Sequence, residues 1–167
     1  MGTNKLTQQK AKQRIDEKLS LSIPSQELLE SLALECASKP SQDATFQYAF
    51  ALSKSNNKRE LNYAIQILDG LTKEGYSHSI DCMYGAAQAL YSLKDYQEAR
   101  LRCENILRSH PDHVSAAELH LACIEGSEIQ ESKKFQRKAI EGTIGVAAIG
   151  LAGVVAGLML GGAGKKH

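Results

Sequence analysis

The chain is predicted to be all-α, with a single transmembrane helix at its C-terminal end, and three observations carry that expectation. From Ser25 to Glu125 apolar residues recur at spacings of three and four, and no useful stretch alternates with the period of two that a half-buried strand needs. Six such stripes follow one another, separated by turns of a few residues. Finally, Thr143 to Gly164 is a 22-residue run without a charge. As a helix that run is ~33 Å long, against a hydrocarbon core of ~30 Å, so it fits one membrane crossing.

Residues 1–22 read as a flexible N-terminal arm, with a loosely docked extra helix as the alternative, and they hold no apolar run of the roughly 7–15 residues a secretory signal needs. Pro24 and Ser25 open the first helix, whose stripe Leu28, Leu29, Leu32, Ala33, Cys36 stops at Lys39-Pro40. The second carries Phe46, Ala49, Phe50 and Ser53 and breaks at Ser55-Asn56-Asn57. The third shows Leu61, Ala64, Ile65 and Leu68 and ends near Glu74-Gly75, where glycine supplies the left-handed residue that a helix end favours. Ile80, Met83, Tyr84, Ala87, Leu90 and Tyr91 make the fourth. Asp95 with Glu98 three residues on is a capping-box variant that starts the fifth, with Tyr96, Ala99, Cys103, Ile106 and Leu107. Pro111-Asp112 separates it from the sixth, Val114, Ala117, Leu121 and Ile124. Residues 23–126 thus form one helical cytosolic domain, 127–142 a mobile polar neck, 143–164 the anchor, and 165–167 a short basic end.

Charge and cysteine usage narrow the function classes. Twenty basic and 19 acidic residues give a net charge of +1 with no basic footprint, which argues against nucleic-acid binding. Cys36, Cys82, Cys103 and Cys123 are spaced 46, 21 and 20 residues apart without a C-x-x-C pair, so they are expected to be free thiols rather than zinc ligands. His110, His113 and His120 match no ligand spacing, and no metal or cofactor is expected. No dinucleotide fingerprint, phosphate loop or nucleophile elbow occurs, so no enzymatic activity is expected either.

The arrangement of the helices follows from a repeat of about 34 residues. Counting Ile80 as position 1 of a tetratricopeptide repeat places Ala87 at 8, Tyr96 at 17, Ala99 at 20 and Pro111 at 32, and Ala64 answers Ala99 in the preceding pair. Small residues at 8 and 20 are needed because the two helices of a repeat cross closest there. Ala64, Ala87, Tyr96, Ala99 and Pro111 are therefore expected to pack the pairs together. The predicted fold is a six-helix, tetratricopeptide-repeat-like bundle.

Several segments carry a closer likeness: Phe46 to Leu52, Ala64 to Asp69, Leu93 to Arg100, Pro111-Asp112-His113, and the acidic-Gly-apolar entry Glu141 to Ala147. In order and spacing they resemble the mitochondrial fission 1 protein family. This chain departs from the family pattern at Ser55 to Arg59, at Ala89 where glycine is usual, and at Gln130 to Lys138, which lengthens the neck. The resemblance implies a tail-anchored adaptor on the mitochondrial outer membrane, and on peroxisomes, that recruits a dynamin-related GTPase directly or through another adaptor. It implies no catalysis. The alternatives are a tail-anchored import receptor with the same kind of repeats and another membrane-anchored peptide-binding adaptor.

A two-repeat array presents a face made by its first helices, suited to a peptide or partner helix. On that face Phe50, Ser53, Lys54 and Asn57 of the second helix, with Gly85, Gln88 and Ala89 of the fourth, are the candidate contacts. Lys133, Lys134, Arg137 and Lys138 before the span, and Lys165 and Lys166 after it, are expected to meet lipid head groups. Within the span, Gly153, Gly157 and Gly161 at four-residue spacing give a smooth face for self-association of two tails.

Overall fold

The computed structural model describes residues 4–160, with side chains described for 4–142. Among the described residues there are seven helices and no strand: α1 (Lys5–Leu21), α2 (Gln26–Ser38), α3 (Gln42–Leu52), α4 (Lys58–Lys73), α5 (Ser79–Ser92), α6 (Tyr96–Ser109) and α7 (Val114–Leu160). The chain divides into two compact units, Met1–Ser127 and Glu128–His167.

Helix starts in the first unit are written in short polar side chains. Ser25, Ser41, Asn57 and Asp95 each accept a hydrogen bond from a backbone N–H inside the first turn, at Leu28, Ala44, Arg59 and Glu98 respectively. Two turns use the left-handed region. Gly75, at φ 74°, ends α4 and lets the Tyr76 N–H reach the Leu71 carbonyl at 3.0 Å. Lys94, at φ 67°, does the same after α5 with a side chain present, and the Asp95 N–H reaches the Leu90 carbonyl at 3.0 Å.

From α2 to α6 each helix packs on its chain neighbour, and α3 also meets α5. Leu29, Leu52 and Ala64 join α2, α3 and α4, while Ala49, Leu68, Leu71, Cys82 and Ala86 join α3, α4 and α5. The largest core cluster gathers Tyr84, Ala87, Tyr91, Tyr96, Ala99 and Cys103 with Leu119 and Cys123 of α7, and it includes Ile15 of α1. Across the helix pairs, the Arg102 guanidinium grips Asp69 with both carboxylate oxygens, at 2.6 and 3.1 Å, and also donates to Glu98 at 3.0 Å. Those two carboxylates hold its charge more firmly than usual, Asp69 first.

The bundle has one helix more than the sequence indicates, because the expected flexible arm is α1. Asn4 caps it, Lys12–Asp16 and Gln13–Glu17 pair one turn apart, and Ala11 and Ile15 are buried. The expected mobile neck is also helical, since 127–142 consists mostly of good helix formers and contains no proline. Its Lys133, Lys134, Arg137 and Lys138 are exposed. No helix among the described residues is long and apolar enough to cross a membrane. The expected span 143–164, with Gly153, Gly157 and Gly161, and the basic end at Lys165 and Lys166 lie outside the residues described with their side chains.

Candidate functional site

The repeat pairs are α3 with α4 and α5 with α6. Ala64, Ala87 and Ala99 are fully buried in the clusters that join the helices. Tyr96 is buried edge-on to Tyr91, with ring centroids 5.2 Å apart. Pro111 is different: it is exposed in the turn between α6 and α7, where it separates helices without packing between them.

The face shared by α3 and α5 receives the candidate contacts at different depths. Phe50 is half-buried against Gly85, where an added Cβ would lie 2.9 Å from the ring. Lys54 Nζ sits 4.7 Å over the same ring. Lys54 also lines a cavity of about 350 Å3 bounded by Asp16, Leu19 and Ser20 of α1 and by Tyr91, Ser92 and Lys94. Asn57 is exposed, but its side chain is occupied with capping α4.

Ser53 and Ala89 are fully buried, and Ser53 Oγ donates to the Phe50 carbonyl at 2.7 Å, so both pack the helices together. Gln88 is 4% exposed and its side-chain nitrogen has no hydrogen-bond partner among the described residues. It stands on one face of α5 with Tyr84 and Tyr91, four and three residues away.

That face of α5 carries α1. The Tyr91 hydroxyl donates to Asp16 at 2.7 Å, and Lys12 Nζ lies 5.8 Å from the Tyr91 ring centroid. Burial and then Asp16 push the Tyr91 hydroxyl far above the usual tyrosine range. Arg14 pairs with Glu118 at 2.6 Å, and Lys5 pairs with the buried Glu125. Thus α1 covers the α5 and α7 end of the shared face, and the α3 side with Phe46 and Phe50 stays accessible. Sequence reasoning missed Lys12, Ile15 and Asp16, whose signal is the buried spacing Gln8, Ala11, Ile15 in an otherwise polar helix.

Elsewhere the polar groups are accounted for. His120 meets Glu104 at 3.1 Å, and His113 Nδ1 accepts the Ala116 N–H, which absorbs two of the histidines. All four cysteines are free thiols, with Cys82, Cys103 and Cys123 fully buried.

Helix pairs stacked by small residues and one shared face define a tetratricopeptide-repeat-like helical module. Solved structures agree on this fold. Fission protein Fis1 from Saccharomyces cerevisiae superposes with a TM-score of 0.62 at 20% identity, over 70% of this chain and 95% of that one. Yeast Fis1 in complex with an Mdv1 fragment containing the N-terminal extension and coiled-coil domains gives 0.58 at 21% identity, over 69% and 94%. In sequence, the mitochondrial fission 1 protein of Yarrowia lipolytica is 34% identical over 111 residues, 66% of this chain and 64% of that protein, so the match spans slightly under two thirds of that relative. The Candida glabrata protein of the same name is 27% identical over 76% of this chain and 79% of its own. No protein-family model matches the sequence. In sequence and in fold the chain is similar to the mitochondrial fission 1 proteins.

Proposed function

We propose that this protein is a membrane-tethered adaptor of mitochondrial division. In this reading residues 23–126, with α1 docked on them, hold a partner segment on the face shared by α3 and α5. Residues 127–142 form the neck, and 143–164 span the mitochondrial outer membrane, with peroxisomes as a second address. The observation that carries the reading is the likeness to the mitochondrial fission 1 proteins, joined to a face whose α3 side is open beside Phe46 and Phe50. Yeast Fis1 has been crystallised with an Mdv1 fragment. By that likeness the partner here is an adaptor segment that links the domain to a dynamin-related GTPase, or the GTPase itself. Such work needs no catalysis and no cofactor: burial of a helix on a preformed face supplies the binding energy.

The test is expression of the full chain, tagged at its N-terminus, in yeast cells lacking their own fission 1 protein. The expected outcome is labelling of the mitochondrial rim and restored division. Deletion of 143–167 should leave the domain diffuse, and a truncated protein that still decorated mitochondria would refute the anchor. Recovery of import presequences, with no division factor, would refute the adaptor role.

A further inference from the structure

The accessible end of the α3–α5 face holds a cavity of about 490 Å3, lined by the rings of Phe46, Phe50, Tyr76 and His78 and by the carboxylates of Asp43 and Asp81. Its walls come from three places in the chain. Asp43, Phe46 and Phe50 are three and four residues apart and share one face of α3. The Gly75 turn throws Tyr76 back over the end of α4, and Asp81 lies in the first turn of α5.

The rings form a connected wall. Phe46 is 5.3 Å from Phe50, 5.6 Å from Tyr76 and 6.3 Å from His78, which stacks on it at 22°. The buried Tyr76 hydroxyl donates to Asp43 Oδ1 at 2.6 Å, which ties the wall to α3.

A carboxylate in the first turn of a helix complements the helix dipole, and that alone explains an acid at position 43 or 81. It does not explain why two acids line one aromatic cavity with neither of them paired to a lysine or arginine. Asp69 and Glu118 are paired with arginines, whereas neither Asp43 nor Asp81 has a lysine or arginine partner among the described residues. Asp81 is 3.5 Å from His78 Nδ1. The faces of aromatic rings attract cations within about 6 Å of the centroid, and carboxylates beside them add to the attraction. Phe50 already holds Lys54 in this way at 4.7 Å.

We propose that this cavity receives an arginine side chain from the partner polypeptide. A guanidinium fits better than an ammonium because it is planar, stacks on rings and bonds a carboxylate with two parallel N–H groups. The proposal rests on the adaptor reading for its partner, but it can be tested without one.

The full chain in lipid nanodiscs, labelled in its aromatic and histidine rings, would be titrated with N-acetyl-arginine amide, the lysine amide and the uncharged citrulline amide. Saturable shifts at Phe46 and His78 are expected with the arginine compound, with at least about tenfold weaker binding for citrulline and an intermediate value for lysine. Asp81→Asn, at an exposed position, should weaken arginine binding severalfold without changing the melting temperature. The combined Asp43→Asn and Asp81→Asn variant should abolish it. Equal binding of citrulline, or an unchanged arginine affinity in Asp81→Asn and the double variant, would overturn the assignment. Loss of arginine binding with division intact in cells would remove this subsite alone. Retained arginine binding in a protein that recruits no division factor would remove the adaptor reading instead.

Discussion

The docking of α1 can be tested with one substitution, Ile15→Ala. Ile15 is 2% exposed and belongs to the same cluster as Tyr84, Tyr91, Tyr96 and Leu119. Truncating a buried isoleucine costs about 2–5 kcal/mol, and a helix at the edge of a core can settle into the gap, so about 2–3 kcal/mol is expected. Of the polar ties of α1, the pair Arg14–Glu118 has an exposed basic partner, and such a pair contributes about 0–1 kcal/mol. Since each 1.4 kcal/mol is tenfold, local opening of α1 should become about 30- to 140-fold more frequent. Amide hydrogen exchange followed segment by segment reads this directly. The α1 amides should exchange faster by that factor while α4 to α6 keep their protection. Unchanged exchange in α1, or an equal loss in α1 and α5, would refute the picture of a helix that docks as a separable element.

Three further outcomes follow from the packing. Gly126→Ala would place a Cβ 2.7 Å from the buried Tyr96 ring, so a net loss of about 1–2 kcal/mol is expected after the helix-propensity gain, seen as a lower melting temperature. Glu104 is held below its ordinary value of 4.5 by His120 and then Arg100. A depressed carboxyl stabilises above its unfolded value and loses that contribution as pH falls through the folded one, so Glu104→Gln should flatten the acid limb of a urea-midpoint curve below about pH 4.5; parallel curves for the two proteins would contradict this. Iodoacetamide with mass spectrometry should modify the half-buried Cys36 first. Cys82 is buried with its thiol pushed up to about 11, and Cys103 is pushed higher by Cys123 and burial, so both should react only on unfolding.

What the sequence made legible depended on how local each signal was. Helices α2 to α6 announce themselves through a capping side chain, an apolar stripe or a terminal glycine or proline, and all three act within a turn or two. The alanines at 64, 87 and 99 could be placed because a repeat fixes their spacing. Helix α1 was hidden for the opposite reason: only Gln8, Ala11 and Ile15 of its 17 residues are buried, too sparse a stripe to read without the partner surface. For the candidate face, the sequence did not show the depth of its residues. Periodicity separates one side of α3 or α5 from the other; it does not tell that Ser53 and Ala89 sink between helices while Phe50 lies shallower. The aromatic cavity had no sequence signal at all, since Asp43 and Tyr76 stand 33 residues apart and meet only through packing.

The contact between Lys5 and Glu125 joins positions 120 residues apart. On a ribosome α1 is made before α2 to α7, yet the surface that holds it is complete only after the start of α7 has emerged. Helix pairs α3–α4 and α5–α6 can close as they appear, because their contacts span short loops. Docking of α1 through Lys5 therefore has to wait for Glu125. Until α1 docks, Tyr84 and Tyr91 of α5 lack the cover that Ile15 and Asp16 give them.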